Sequence, residues 1–444
     1  MLRYRHESPR REGPRRASQQ GRGQLSAGSG ENTPAVGLAT VAREWLRIGC
    51  IGFGGPPAHI ALLRKLCVDK RGWLSAEEFE DGVATTNLLP GPASTQLAIF
   101  CAWRVAGSAG ALIGGAAFIL PGLAVILGLA ALFFAAHPPS WIAGAAGGAG
   151  AAVPAVAAAA AISLMPVSWR RADSGSRWGR WRWIAYLAAG GLAGGLAGAF
   201  LVLVLAGCGL LELAVRWRRP QPRPQPRPQP RSADADPGSA AGPGEDGTGT
   251  GRLNALPALL LAVPAGAGGL LAVAWVAFKV GALSYGGGFV IIPLMQHDAV
   301  HTYHWMTGAQ FLSAVALGQV TPGPVVQTVA VVGFAAAGVG GGLLASLVAF
   351  TPSFAFVLGG ARHFAALRRN ARVQAFLTGA GPAAIGAIAG STVPLGLELT
   401  RLWQVGVLGM AAIWLLALRR NVVVAIVGGA VLGVVAVLAG APAP

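Results

Sequence analysis

Asn87-Leu88-Leu89-Pro90-Gly91-Pro92-Ala93-Ser94-Thr95-Gln96 and Gln319-Val320-Thr321-Pro322-Gly323-Pro324-Val325-Val326-Gln327-Thr328 stand 232 residues apart and decide how this chain is read. Each carries a Pro-Gly-Pro triplet in an apolar neighbourhood where an unbroken helix would otherwise run. Proline lacks the N–H and clashes with the preceding turn, and glycine is a weak helix former. The triplet ends one helix and starts another, since proline is well tolerated in a first turn. The same offset brings Gly54-Gly55 onto Gly286-Gly287, Trp73 onto Trp305 and Phe79 onto Phe311. It also brings Arg47 onto Lys279, Phe53 onto Tyr285 and Asn87 onto Gln319, with no gap. Apolar bias would align Ala with Val by chance, but not Trp, a Pro-Gly-Pro triplet and a cation at one offset. The chain is an internal duplication.

Around these motifs the composition is that of a membrane protein. Hydrophobic residues make up 54% and charged residues 11%, against about 25% charged in a soluble domain. Ala109 to Ala136, Trp141 to Met165 and Val422 to Gly440 are apolar stretches long enough for a hydrocarbon core that takes about 20 helical residues. The alternating segments of about ten residues that a β-barrel needs are missing. The 66 glycines suit close helix packing in lipid. A GC-rich genome also favours Gly, Ala and Arg, and Lys occurs only at 65, 70 and 279, so both origins stay open.

The net charge of +17 does not indicate nucleic-acid binding. The excess lies in tails and loops, at Arg3, Arg5, Arg10, Arg11, Arg15 and Arg16 and at Arg170, Arg171, Arg177, Arg180 and Arg182. Cations flanking apolar spans mark cytoplasmic loops. Cys50, Cys67, Cys101 and Cys208 show no CxxC spacing and read as small membrane residues.

Four regions follow. Residues 1–34 are a basic tail expected to be disordered, with no cleavable signal peptide. Residues 35–216 form a first membrane domain and residues 253–444 a second. Residues 217–252 are a linker, Arg/Pro-rich and then Gly/Asp-rich. The expected fold is an all-α polytopic bundle of about 10–13 segments, with two homologous halves arranged as inverted repeats with broken helices. Helices are placed near 36–53, 82–104, 109–135, 141–165, 183–198 and 199–215. In the second half they lie near 254–269, 271–285, 309–335, 340–360, 374–396, 402–418 and 421–440. Basic loops at Arg170 to Arg182 and at Arg362, Arg368, Arg369 and Arg372 suggest that equivalent helices run in opposite directions, with 254–269 supplying the inversion. The loop with Arg64, Lys65, Lys70 and Arg71 would then lie on the outer side, against the charge rule.

Gly52-Phe53-Gly54-Gly55-Pro56-Pro57, mirrored by Ser284-Tyr285-Gly286-Gly287-Gly288, is a second helix break. In lipid a broken helix survives only inside protein or beside a cavity, and a helix N-terminus beside a cavity attracts anions. The other reading is a packing kink. Asn87, Gln96, Gln319 and Gln327 flank Pro90-Gly91-Pro92 and Pro322-Gly323-Pro324 with neutral donors suited to oxyanion oxygens. They serve equally as caps for broken backbone. Arg47 and Lys279 each lie before a glycine break. A cation near the bilayer centre costs roughly 2.5–3.5 kcal/mol, so a pair suggests charge balance for an anion. Snorkelling is the alternative, and Glu44 is a partner for Arg47. His59 is a weaker proton-carrying candidate. His297, His301 and His304 beside Asp298 are weak metal candidates, so no metal or cofactor is assigned.

At these residues the chain resembles the chromate ion transporter family. The carriers are Phe53-Gly54-Gly55-Pro56, Pro90-Gly91-Pro92, Tyr285-Gly286-Gly287-Gly288 and Pro322-Gly323-Pro324. Their duplication matches the long, two-domain type, over roughly residues 38–215 and 265–440. The resemblance implies a secondary transporter of the inner (plasma) membrane that exports chromate, powered by the proton-motive force, and confers chromate resistance. The long basic tail and linker depart from it. Partners expected are chromate or a sulfate-like oxyanion, protons and the lipid bilayer, with a homodimer left open. A sulfate transporter has the same architecture. A membrane-embedded enzyme is disfavoured because HExxH, GxSxG and DDxxD-like acidic clusters are missing and intramembrane carboxylates are few.

Overall fold

Why each Gly-Gly and Pro-Gly-Pro break does not simply kink a spanning helix is visible from what folds back behind it. The computed structural model describes residues 36–87, 89–135, 139–172, 177–196, 200–217, 269–284, 289–360 and 370–442. Helix α1 (Leu38–Ile51) stops at Gly52, and α2 (Pro56–Arg64), extended by a wider turn at Lys65–Lys70, returns beside it. Arg71 pairs with Glu44, and Trp73 stacks on Trp45 at 6.2 Å. Helix α3 (Ala76–Thr86) then runs inward to Pro-Gly-Pro, and α4 (Ala93–Phe133) starts back from it. Gly82 packs on Phe100, and Glu78 pairs with Arg104 at the open end. Both units are helical hairpins with the broken motif at the tip. The helices expected near 82–104 and 309–335 are each divided at the triplet. The return helix α2 and its mate were not foreseen.

Helix α4 has two arms. Ala106 and Gly107 leave helical geometry, Gly107 at φ 63°, and the chain reverses. The second half copies this. Helices α9 (Leu270–Leu283), α10 (Ile291–Gln296, extended at His297–Thr302) and α11 (Gly308–Val320) lead to a short turn at Val325–Gln327 and α12 (Thr328–Gly360). Its arms part at Ala337 and Gly338, with Gly338 again at φ 63°. A capping box opens α3 through Ser75 and Glu78 and its mate α11 through Thr307 and Gln310. These boxes satisfy first-turn amides that the helix leaves open. From the second arms onward the offset is 231, matching Pro121 to Pro352.

The rest of each half is a set of crossings. Helices α5 (Ser140–Ala151), α6 (Val153–Ala172), α7 (Arg177–Leu196) and α8 (Leu201–Trp217) complete the first half. Helices α13 (Ala371–Leu397), α14 (Leu402–Ala412, extended at Ile413–Ala417) and α15 (Val422–Leu438) complete the second. Four apolar stretches, 93–133, 140–170, 325–360 and 371–397, meet the length and composition of membrane spans. Val424, Val427, Val431, Val435 and Leu438 leave an apolar stripe exposed along α15, as a lipid-facing helix requires. The protein is a multi-pass helical membrane protein.

The repeats are inverted. Gly115 on α4 meets the Phe354 ring of α12, whereas Gly342 on α12 meets Leu127 of α4. The equivalent second arms therefore run antiparallel. In contrast, α1 runs parallel to its own α4 arm, with Gly49 against the Phe118 carbonyl, and Gly281 of α9 repeats this against Ala349. The hairpins of the two halves thus enter from opposite faces and meet midway. The segment 254–269, expected to supply the odd crossing, lies outside the described residues except for Gly269, and Arg362, Arg368 and Arg369 lie outside them too.

This arrangement corrects one expectation. Hairpins that turn back add no crossing, so Arg64, Lys65, Lys70 and Arg71 share a face with Arg104, Arg170, Arg180 and Arg182. Arg216 and Arg372 join them, because Gly379 near the start of α13 abuts Cys208 and Glu212 of α8. Arg419 and Arg420 do too, since α15 runs antiparallel to α5 through Gly144 and Gly433. We call this the basic face.

Candidate functional site

The four tips are tied crosswise between the halves. Gly91 N–H donates to the Ser284 carbonyl at 2.9 Å, and its mate Gly323 N–H donates to the Gly52 carbonyl at 3.0 Å. Gly91 and Gly323 sit at φ 119° and 100°, which side chains other than glycine's strongly disfavour. Gln96 Nε2 donates to the Pro90 carbonyl at 2.7 Å, and Gln327 Nε2 to the Ile119 carbonyl at 2.6 Å. These glutamines spend their donors on main chain, so they shape the tips.

Two further contacts seat each Pro-Gly-Pro tip on the other half. A Cβ at Gly122 would lie 2.1 Å from the Pro322 carbonyl oxygen, so only glycine lets α4 approach. At the mate position, Ser353 Oγ would lie 3.3 Å from a Cβ at Gly91. His59 is fully buried, its Nε2 lies 2.9 Å from the Gly52 carbonyl oxygen, and its ring packs edge-on to Phe118 at 5.0 Å. A carbonyl offers no proton, so Nε2 carries the hydrogen and Nδ1 faces the interior as a bare acceptor.

Most buried polar atoms without partners lie on or against the tip segments, with Gln296 apart at the end of α10. Among the described residues they are His59 Nδ1, Thr95 Oγ1, Gln96 Oε1, Ser284 Oγ, Gln296 Nε2, Gln319 Nε2, Gln327 Oε1 and Ser353 Oγ. An unmet buried polar group costs about 1–3 kcal/mol, so this concentration marks a place built for something polar. The first two amides of each helix also lack intrahelical acceptors. Those of Ala93 and Ser94 and of Val325 and Val326 start helices at the tips. Pro56 and Pro57 remove these donors from α2. Asn87 is exposed at the end of α3 and lines a cavity of about 190 Å³ with Ser168, Val290, Leu377, Thr378 and Gly381. The cavity reaches between α6 and α13 toward the tips from the side of the basic face.

The sequence candidates divide accordingly. Gly54, Gly55, Pro90, Gly91, Pro92, Gln96, Pro322, Gly323, Pro324 and Gln327 lie at the tips, Gln319 closes α11 beside them, and Asn87 faces the cavity. Phe53 is 47% exposed on the outside of its turn. Tyr285, Gly286, Gly287 and Gly288 lie outside the described residues. Arg47 is exposed on the outer side of α1. Lys279 is bound to Asp298 at 2.6 Å and lies 5.7 Å from the Trp275 ring. The structure does not bring the cation pair together as free charges at the tips. Thr95 and Ser284 stood in the quoted motifs, Thr95 among hydroxyl donors suited to an oxyanion, whereas Ser353 and the cavity residues Ser168 and Thr378 were not singled out from sequence. Ser353 was legible only through the second offset, which pairs Pro121-Gly122 with Pro352-Ser353. Among the described residues no cluster of three or more His, Cys, Asp or Glu forms, and His297 and His301 have ring centroids 6.0 Å apart.

Known proteins share this plan in sequence. A probable chromate transport protein of Synechococcus elongatus is 28% identical over 411 residues, covering 90% of this chain and 96% of its own length. The chromate transport protein of Cupriavidus metallidurans is 29% identical over 383 residues, covering 83% and 85%. That of Pseudomonas aeruginosa is 27% identical over 428 residues, covering 90% and 92%. No solved structure matches. The chromate transporter sequence model matches residues 39–213 and 271–434, one segment in each half and each spanning its tips, and the chain belongs to the chromate transporter family.

Proposed function

We propose that this protein is a secondary active transporter that exports chromate across the inner (plasma) membrane, draws on the proton-motive force and confers chromate resistance. The observation that carries this reading is the cavity that leads from the basic face to the crossed tips, where unpaired polar groups are buried. The charge rule makes the basic face cytoplasmic, so the cavity loads from inside the cell. Chromate, a tetrahedral dianion, exchanges its water for Asn87, the Gln319 amide, the hydroxyls of Thr95, Ser284 and Ser353 and the amides that open α4 and the Val325–Gln327 turn. Gln96, Gln327 and the glycines and prolines of the tips hold that geometry. Arg47 and Lys279 contribute field at longer range. With the interior negative by 100 mV, two charges leaving gain roughly 2 × 2.3, about 4.6 kcal/mol.

Sulfate has the same shape and charge, and neutral donors alone do not separate the two. Everted membrane vesicles containing the protein should take up chromate, lose uptake with an uncoupler, and show by competition whether sulfate shares the site. Vesicles with folded, inserted protein and no chromate uptake would overturn the chromate assignment.

A further inference from the structure

Two-fold mates in this structure do not occupy equivalent surroundings. Helix α11 is seated on α5. Ser313 Oγ donates to the Ala146 carbonyl at 3.2 Å, and a Cβ at Gly150 would lie 3.2 Å from the Cβ of Leu312. Helix α3, the mate of α11, has no such seat. Glu80 and Asp81 stand at the positions of Leu312 and Ser313, and both are exposed. The α13 positions matching Ala146 and Gly150 are Leu377 and Gly381, and both line the cavity. The cavity is therefore the vacant counterpart of the contact that closes the opposite face.

We infer that α3 is the gate of the basic face: in the alternate state it seats on α13, with Glu80 over Gly381 and Asp81 over Leu377, while α11 lifts from α5. This rests on the transport reading above. Inverted repeats that exchange conformations open one face as they close the other. The mates differ chemically in one respect. Seating α11 buries Leu312 and Ser313, whereas seating α3 takes two carboxylates out of water, which is unfavourable unless they are paired or neutralised. Glu80 has a loose exposed partner in Arg64 of α2 at 3.8 Å. Arg104 of α4 is held by Glu78, and Arg372 opens α13 on the same face. Glu80, exposed with only that loose partner among the described residues, therefore biases the gate toward the open state seen here.

Disulfide trapping tests this in proteoliposomes, with Cys50, Cys67, Cys101 and Cys208 replaced by alanine and a protease site placed in the 217–252 linker. Each engineered pair joins the two halves, so a disulfide holds them together after cleavage. Gly150→Cys with Leu312→Cys should crosslink readily, since paired Cβ atoms in disulfides lie about 3.5–4.5 Å apart. Glu80→Cys with Gly381→Cys should crosslink more slowly, and only in molecules in which the first pair is free. For the neighbouring pair, Asp81→Cys with Leu377→Cys, adding Glu80→Gln should raise the crosslinking rate severalfold. Absence of the Glu80–Gly381 disulfide in a variant that still transports overturns the gate, and so does formation of both disulfides in one molecule. An unchanged rate with Glu80→Gln removes the carboxylate bias. Chromate flux through the unmodified chain reports separately on the transport reading.

Discussion

Gly122→Ala is the smallest change that should separate the two halves at their meeting point. The added Cβ would lie 2.1 Å from the Pro322 carbonyl oxygen and 2.3 Å from Gln327 Oε1. Contacts below 3.0 Å essentially do not occur, so about 0.9 Å of displacement is required against Pro322. Gln327 has little freedom to give, because its Nε2 holds the Ile119 carbonyl at 2.6 Å. Pro322 precedes Gly323, whose N–H makes the crosswise bond to Gly52. Overpacking of this kind costs about 1–3 kcal/mol, which at about 1.36 kcal/mol per tenfold is roughly a 5- to 150-fold loss if the working arrangement bears it all. The assay is chromate uptake into everted vesicles, normalised to inserted protein, with the thermal midpoint of the detergent-solubilised protein measured in parallel. Gly128→Ala on the same helix is the control, since a Cβ there meets nothing within 4 Å and helix propensity changes by at most about 1 kcal/mol in its favour. A Gly122→Ala protein that transports and melts like the parent would refute the close approach of α4 to the Pro322 tip.

Three further changes probe the groups around the tips. His59→Leu removes one of two donors on the Gly52 carbonyl and should cost about 1 kcal/mol in thermal stability and transport; His59→Gln, whose amide reaches a similar point, should recover most of it, and equal behaviour of the two would remove the hydrogen bond from the account. Lys279→Gln leaves Asp298 a largely buried, unpaired charge and should cost about 3 kcal/mol or more, while Lys279→Gln with Asp298→Asn should restore folding; a double variant no more stable than the single one shows that the pair does not act as a unit. Glu212→Ala on α8 removes the acceptor that holds Arg182 and Arg216 at 2.8 Å each; both arginines keep some access to water, so the cost should be about 1–3 kcal/mol in the melting of the solubilised protein, with unchanged melting counting against the pairing.

The duplication and the broken helices were legible because they are written in residues that apolar bias does not scatter at one offset. Trp73 with Trp305 and the two Pro-Gly-Pro triplets show this. The antiparallel relation of the halves was read separately, from the placement of the basic loops. The hairpins were not legible. Pro56-Pro57-Ala58-His59-Ile60 reads equally as the end of a spanning helix and as the start of a return arm. Only the packing of Gly82 on Phe100 and the return of Arg71 to Glu44 decide between them. That ambiguity misplaced the loop from Arg64 to Arg71, since each hairpin mistaken for a crossing reverses everything after it. The cation pair misled for a related reason. An offset aligns positions, not environments, so Arg47 and Lys279 match in sequence while one is exposed and the other is held by Asp298.

The absence of a free charge at the described tips fits what the site is proposed to do. A fixed cation midway through the membrane costs roughly 2.5–3.5 kcal/mol to place and would hold a dianion in a low-dielectric interior more tightly than release allows. Amides and hydroxyls deliver the same sign of field in smaller increments, and a helix end adds only about half an elementary charge. Distributing that field over tips from both halves has a further consequence. The bonds from Gly91 to Ser284 and from Gly323 to Gly52 tie the tips to one another, whereas the seat on α5 holds only α11, and its counterpart on α13 is vacant. The seats can exchange while the bonds persist. Access can therefore alternate around a site whose donors stay in place, and Glu80 and Asp81 on α3, where α11 has Leu312 and Ser313, are the part of the sequence that makes the two seats unequal.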